Sequence, residues 1–589
     1  MNEIYDTLNP MQKEAVFTTD GPLLILAGAG SGKTRALTHR IAYLIEEKKV
    51  APWNILAITF TNKAAGEMRE RVNALVGTGA ESVWVSTFHS LCVRILRRDA
   101  EYLGYDHNFT IYDSDDQKTL VKQVMKRLEI DPKLYKDRAI MNVISANKNE
   151  LVTPEEYAAS VSGEYRKMRI AEAYQEYQEQ LHRSNAFDFD DLLMKTVELL
   201  QANTEIRERY QNRFRYILVD EYQDTNTAQF RLLSLLTGKD RNLCVVGDDD
   251  QSIYKFRGAN IGNILNFEEI YPEAKVIKLE QNYRSTGHIL EVANEVIAHN
   301  EGRKDKKLWT ENEEGEPVHY ARYETAYDEA DGVIRQVKQA SQRGIGLGDC
   351  AVLYRTNAQS RLLEEKCIQH NVPYRLIGGV NFYQRKEIKD ILAYLKTVDN
   401  GRDDLAVQRI INVPKRGIGG TTIGKVALYA SANDLSFYEA LTRGGRIPGL
   451  GKAAQKLESF VRLIEVYRSK LEYKMSVPEL IRDILDTSGY EDELAKDDEV
   501  EAEARRENLQ ELINKASDYQ AAAENPTLSG FLEEVALVAE VDNLNPAEDR
   551  LTLMTLHDLH RRRHPDRYRL CPRPPPHPRP GTPRRNDLR

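Results

Sequence analysis

The sequence predicts an α/β protein built on two parallel-sheet cores, each interrupted by a helical insertion. Three observations carry this prediction. Short apolar runs alternate with amphipathic helical stretches in the βαβ manner. A glycine-rich loop follows the first of these runs and opens a helix. The rhythm then lapses twice, over residues 104–185 and 380–545, into polar helical sequence.

The first run, Pro22-Leu23-Leu24-Ile25-Leu26, reads as a buried strand. It leads into Ala27-Gly28-Ala29-Gly30-Ser31-Gly32-Lys33-Thr34, which fits G-x-x-x-x-G-K-[ST] with Ala27 in place of the first glycine. The glycines let backbone amides curl around phosphates without Cβ clashes. Lys33 supplies a point charge to the same oxygens, and the Thr34 hydroxyl is a magnesium ligand. The helix starting near Thr34 adds its N-terminal dipole. Together these features predict nucleoside triphosphate binding.

Strand-like segments follow at 53–60 and 83–89, each leading into a helix. Residues 216–226 are the most informative stretch. Ile217-Leu218-Val219 delivers Asp220 and Glu221 to a strand's C-terminal end, where ligands bind in open α/β sheets. Asp220 suits magnesium, and Glu221 suits orienting or deprotonating a water. After the strand at 242–248, the Gln251 amide stands where it can sense a γ-phosphate or its attacking water. Tyr254, Phe256 and Arg257 suit stacking on unpaired bases and touching their phosphates. Taken alone, that segment reads as an amphipathic stretch with two core aromatics.

A second α/β set occupies 276–279, 350–354 and 373–376. Gln281-Asn282-Tyr283-Arg284 follows its first strand and offers an aromatic ring and an arginine to a nucleotide. An arginine from a neighbouring domain stabilises charge in phosphoryl transfer.

Composition bounds the reading. A length of 589 residues fits about four domains, and 41% hydrophobic content supplies their cores. The five cysteines show no metal-ligand spacing, the N-terminus has no signal-peptide core, and no apolar run reaches a membrane span. A soluble, cytoplasmic protein is expected. The net charge of −9 confines any nucleic-acid site to a local groove.

In this order the segments AGAGSGKT, AITFTNKAAGEM, VSTFHSLC, FDFDDL, VDEYQDTN, VVGDDDQSIYKFRGA, LEQNYRS, AVLYRTNAQSR, NVPKRGIG and LTLMTLH closely resemble the superfamily 1 DNA helicases of the UvrD/Rep/PcrA type. The resemblance covers nearly all of residues 1–557. It implies two RecA-like motor domains with P-loop NTPase sheets: 1A over 1–103 and 186–278, and 2A over 279–378 and 548–557. Helical insertions 1B (104–185) and 2B (379–547) complete the organisation. It further implies ATP and magnesium as cofactors, 3′→5′ movement on single-stranded DNA, and action at single/double-strand junctions. A monomer serving replication or repair is expected.

Position by position, the resemblance implies that Gln12 reads the adenine edge and Tyr283 stacks on the ring. The loop from Ala27 through Gly28, Ala29, Gly30, Ser31, Gly32, Lys33 and Thr34 to Arg35 holds the phosphates, and Thr34 and Asp220 hold magnesium. Glu221 activates water, Gln251 couples the γ-phosphate to DNA, and Arg284 contacts the γ-phosphate. Phe60, Phe189, Tyr254, Phe256, Arg257, Arg355 and Asn357 line the single-strand track. The family often has Trp where this chain has Phe256, so weaker base contact is expected there. Asn412 to Gly419, with Gly417 and Gly419, resembles a hairpin whose amides grip duplex phosphates.

After His557 the chain departs from the family, which continues with a Lys-Gly-Leu-Glu-Phe type segment and a second γ-phosphate arginine. Residues 558–589 instead hold ten Arg, eight Pro and no Lys or Glu. That break predicts a shifted reading frame, an incomplete 2A and a catalytically impaired chain that only binds DNA or nucleotide. The other reading is a basic, disordered tail that binds nucleic acid. A helicase–nuclease subunit would need a C-terminal nuclease cluster, which this sequence does not show. A nucleotide kinase or GTPase leaves the aromatic–arginine clusters unexplained.

Overall fold

Apolar runs flanked by turn residues become strands wherever helices cover both faces of a parallel sheet. The computed structural model describes residues 3–77, 79–255, 258–377, 382–494, 499–537 and 549–561. Its strands are β1 Leu23–Ala27, β2 Ile55–Thr59, β3 Trp84–Thr87, β4 Thr110–Tyr112, β5 Ala186–Asp188, β6 Tyr216–Val219, β7 Leu243–Gly247, β8 Lys275–Leu279, β9 Ala351–Tyr354, β10 Tyr374–Leu376 and β11 Leu551–Thr555. Mixed α/β architecture with parallel sheets is thus observed. The aberrant tail beyond 561 lies outside the described residues.

The chain divides into two compact units. One comprises residues 1–26, 34–277 and 380–542, the other 27–33, 278–379 and 543–589. The first is organised by a six-stranded sheet in the order β3-β2-β6-β7-β1-β8. β2 pairs parallel with β3 and β6, and β7 pairs parallel with β6 and β1. Every residue of β1, β2 and β7 is buried, as expected of strands covered on both faces. Leu24, Leu26, Ile58, Val219 and Val245 join Phe88, Leu91, Leu193 and Leu232 from the covering helices in one core.

Local capping explains where the strands stop. The strand expected through His89 ends at Thr87, because the Thr87 hydroxyl accepts from the Ser90 backbone N–H at 3.1 Å and starts the helix Phe88–Asp99. Trp53 and Asn54 lie in a short helical turn ahead of β2 rather than in the strand. Residues 104–185 are mainly helical, as read from sequence, but they also contain β4, which pairs parallel with β5 just beyond them as a small sheet. Each is three residues long, too short to carry a periodic signal.

The described residues of 382–494 and 499–537 form a helical body around Ile388, Tyr394, Phe460, Leu480 and Leu512. In chain order this body falls between β10 and β11, but it belongs to the first unit. It reaches the 104–185 region through Lys396–Asp116 at 2.8 Å, Lys389–Asp115 at 2.7 Å and Tyr112 Oη donating to Asp403 at 2.9 Å. The second unit holds a three-stranded parallel sheet, β10-β11-β9, packed on Ala330, Ile334, Leu363 and Cys367.

One buried charge cluster fixes the 104–185 helices to β5. Lys148 is fully buried and meets Asp188 at 2.8 Å and Asp191 at 2.9 Å, and Tyr177 Oη donates to Asp188 at 2.9 Å. Burial alone would lower the Lys148 pKa, but the two carboxylates hold it above its ordinary value. Replacing Lys148 with Met strands two buried anions and is expected to cost about 3–5 kcal/mol, measured by denaturant unfolding. Next to the cluster, burial and then Asp188 push the Asp190 carboxyl up to about 6 from an ordinary 3.8. A raised acid pKa favours the protonated folded form, so stability is lost as pH rises from near 4 through about 6. Asp190→Asn is expected to flatten that fall, read from unfolding midpoints across the same window.

Candidate nucleotide and DNA sites

Parallel pairing brings the C-terminal ends of β6 and β7 to one edge of the first sheet. At the β6 exit the Asp220 N–H donates to Ile58 O at 2.9 Å, which extends the ladder one residue past the strand. Glu221 then turns into the left-handed region, with φ at 54°, and its N–H donates to Asp220 Oδ1 at 3.0 Å. Both carboxylates are buried. Gln223 Nε2 donates to Glu221 Oε2 at 2.6 Å, and Gln223 Oε1 accepts from the Asp248 N–H at 3.0 Å.

The β7 exit is built on Asp248. Its side chain caps the turn Asp249–Gln251, and the Gln251 Nε2 donates to its other carboxylate oxygen. Gln251 is therefore anchored at the sheet edge.

The phosphate loop Ala27–Lys33 belongs to the second unit together with the segment after β8. Gly30 and Gly32 have φ of 68° and 83°, conformations that glycine adopts without a Cβ penalty. Ser31 Oγ donates to Gly28 O at 2.7 Å and tightens the turn. The Asn282 Nδ2 donates to Ala29 O at 2.6 Å, and the Tyr283 N–H donates to Gly30 O at 2.9 Å. Asn282 Oδ1 also accepts from the Arg284 and Ser285 N–H groups at 2.8 and 2.7 Å. One buried amide thus ties the loop to the backbone that carries Tyr283 and Arg284. The Tyr283 ring is 46% exposed, with its hydroxyl donating to Gln281 Oε1 at 2.8 Å.

Other nucleotide candidates are found in specific local roles. Gln12 is buried at the third position of the helix Pro10–Phe17, where its Oε1 accepts from the Asn9 N–H at 3.2 Å. Arg35 donates to Thr7 Oγ1 at 2.7 Å and Thr7 O at 3.3 Å. Thr34 lies in the first turn of the helix Lys33–Glu46.

The DNA candidates divide similarly. Phe60 meets Phe88 edge-on at 5.6 Å, and Phe189 meets His89 edge-on at the same centroid distance. Burial lowers the His89 pKa to about 4, which keeps that ring neutral at pH 7. Tyr254 is half-buried, while Phe256 and Arg257 lie outside the described residues. In the second unit Arg355 and Asn357 are exposed beyond β9. The segment Asn412–Gly419 contains no strand, so the expected hairpin is instead a loop. Asn412 Oδ1 organises it by accepting from the Arg416 and Ile418 N–H groups at 2.9 and 3.1 Å. Gly417 has φ at 68°, and Gly419 precedes the helix Gly420–Ala432 in an extended conformation open to any residue.

Sequence reasoning missed Gln223, Asn282 and Asp248 as organisers. The signal was available in their placement one to four residues beyond strand ends, but the neutral amides Gln223 and Asn282 carry no chemistry that marks them out, and Asp248 is one of three consecutive aspartates.

Comparison with known proteins accounts for nearly the whole chain. Residues 8–272 match the model of the UvrD/REP helicase N-terminal domain, and 277–559 match the UvrD-like helicase C-terminal domain. The chain is 50% identical over 563 residues to the ATP-dependent DNA helicase PcrA of Bacillus subtilis, covering 94% of this chain and 76% of that protein. It is 50% identical over 559 residues to PcrA of Staphylococcus aureus, covering 95% and 76%. The match runs across both helicase-domain models, and the impaired binding fragment is not favoured. The chain belongs to the UvrD/REP helicase family and is a PcrA-like, ATP-dependent DNA helicase.

Proposed function

We propose that this helicase moves 3′→5′ on single-stranded DNA and opens duplexes at single/double-strand junctions, as a cytoplasmic monomer serving replication or repair. The observation that carries the hydrolytic part is Glu221, a buried carboxylate at the sheet's C-terminal edge, oriented by a 2.6 Å hydrogen bond. In this reading Glu221 accepts the proton of the attacking water. Gln251 senses the γ-phosphate from its seat on Asp248. Lys33 and the loop amides hold the phosphates, and Arg284 neutralises charge as it develops.

Asp220 and Thr34 offer a carboxylate and a hydroxyl, the hard oxygen donors that magnesium takes. Bound there, the ion would offset phosphate charge. Domain limits are proposed as 1A at 1–103 and 186–278, 1B at 104–185, 2A at 279–378 and 548–557, and 2B at 379–547. Phe60, Phe189, Tyr254, Arg355 and Asn357 form the single-strand track in this reading, with duplex held at the loop carrying Gly417.

Glu221→Gln is expected to lower DNA-stimulated phosphate release by about 10²–10⁴-fold, the usual worth of a general base, while a fluorescent ATP analogue still binds. Turnover unchanged from wild type overturns the assignment. For polarity, 3′-tailed duplexes are expected to unwind with Mg-ATP while 5′-tailed ones stay paired. Strand displacement on gels reads the outcome, and preferential opening of 5′-tailed substrates refutes the stated direction.

A further inference from the structure

Gln223 is fully buried, lies two residues past the candidate base, and spans the gap between the β6 and β7 exits. Its amide has one usable orientation. The Asp248 N–H only donates, so it requires the carbonyl oxygen, found at 3.0 Å. The Glu221 carboxylate only accepts, so it requires the amine, found at 2.6 Å. The same amine lies 3.4 Å from Asp224 Oδ2. Both halves of the side chain are therefore committed, and one oxygen of the Glu221 carboxylate is held by a group itself pinned to a backbone amide.

Two neighbouring features fit this bridge. A Cβ at Gly247 would sit 2.7 Å from Gln223 Oε1, so only glycine there leaves the amide its place. Ser252 Oγ donates to the Gln223 main-chain carbonyl at 3.3 Å, a second tie between this residue and the segment after β7. Continuing from Asp248, the chain of hydrogen bonds reaches Gln251 and the loop that leads to Tyr254.

We infer that Gln223 is a positioning residue for ATP hydrolysis, holding the Glu221 carboxylate toward its water and linking it to the segment 248–252. The inference rests on the reading of Glu221 as the base. Gln223 touches neither substrate nor water in this scheme; it acts through Glu221. A neutral amide suits the task, since it orients an anion without neutralising it.

The test uses the full chain with Gln223→Met, which removes both hydrogen bonds at similar volume, and Gln223→Glu, which keeps the acceptor for Asp248 but sets an anion against Glu221. Both variants are expected to lose about 100-fold in kcat, the scale of a misplaced reacting group. KM for ATP and affinity for a fluorescent ATP analogue should stay within about twofold, the pattern of an interaction needed only for the chemical step. Hydrogen exchange at the Asp248 amide should speed up by about tenfold or more in the Met variant and stay slow in the Glu variant. A merely structural role predicts that loss of turnover tracks amide exposure, so a Glu variant with wild-type turnover overturns the inference. A Met variant with wild-type kcat overturns it too. Glu221→Gln is run alongside. If it is dead while Gln223→Met is fully active, only the Gln223 inference fails; if it keeps wild-type turnover, the reading of Glu221 fails as well.

Discussion

The chemistry of the first unit depends on β6 lying in parallel register between β2 and β7. That register fixes Asp220 through one more ladder hydrogen bond, so the first carboxylate is placed by the sheet itself. The chain must then leave the ladder at once, and Glu221 does so at φ 54°, a conformation costing a non-glycine residue about 1–3 kcal/mol. The hydrogen bonds from Glu221 N–H to Asp220 and from Gln223 to Glu221 offset that strain. A strained residue held by its surroundings is pre-oriented, and in the proposed role of base Glu221 would need no reorganisation when the water arrives.

Much of this arrangement was legible in the sequence. The apolar runs at 22–26, 216–219 and 242–248 mark the central strands because strands buried on both faces cannot hide their composition. The phosphate loop and the Asp-Glu pair were legible for the same reason, since their chemistry restricts residue type at fixed spacing. What escaped was decided by single side chains in three dimensions. Thr87 ended a strand that looked two residues longer, β4 and β5 were too short to show a period, and Asn412 folded a loop where a hairpin was expected. Gln12 and Arg35 are engaged by Asn9 and Thr7, partners that no spacing rule names.

The residues that sequence reading undervalued share one property. Gln223, Asn282 and Asn400 are buried amides, and each joins segments far apart in the chain. Asn282 links the phosphate loop to Arg284, and Asn400 donates to Thr110 Oγ1, Ser184 O and Asn185 O. Amides serve as such junctions because they donate and accept without the desolvation penalty of a charge. Lys148 shows the costlier solution, a buried cation that two carboxylates must compensate.

The second sheet has its central strand, β11, separated from β10 by the whole helical segment that packs in the first unit. During synthesis, β9 and β10 therefore leave the ribosome without the strand that lies between them. At about 5–20 residues per second, β11 follows β10 after a delay of about 9 to 35 seconds. Through that interval two strand edges stand open, the situation in which nascent chains mispair. The first unit's sheet waits too, since β1 pairs with β7 and β2 with β6, but all of its strands are made before residue 280. Chain order thus imposes a timetable: the sheet carrying Glu221 can form early, and the smaller sheet must wait for the body inserted into it.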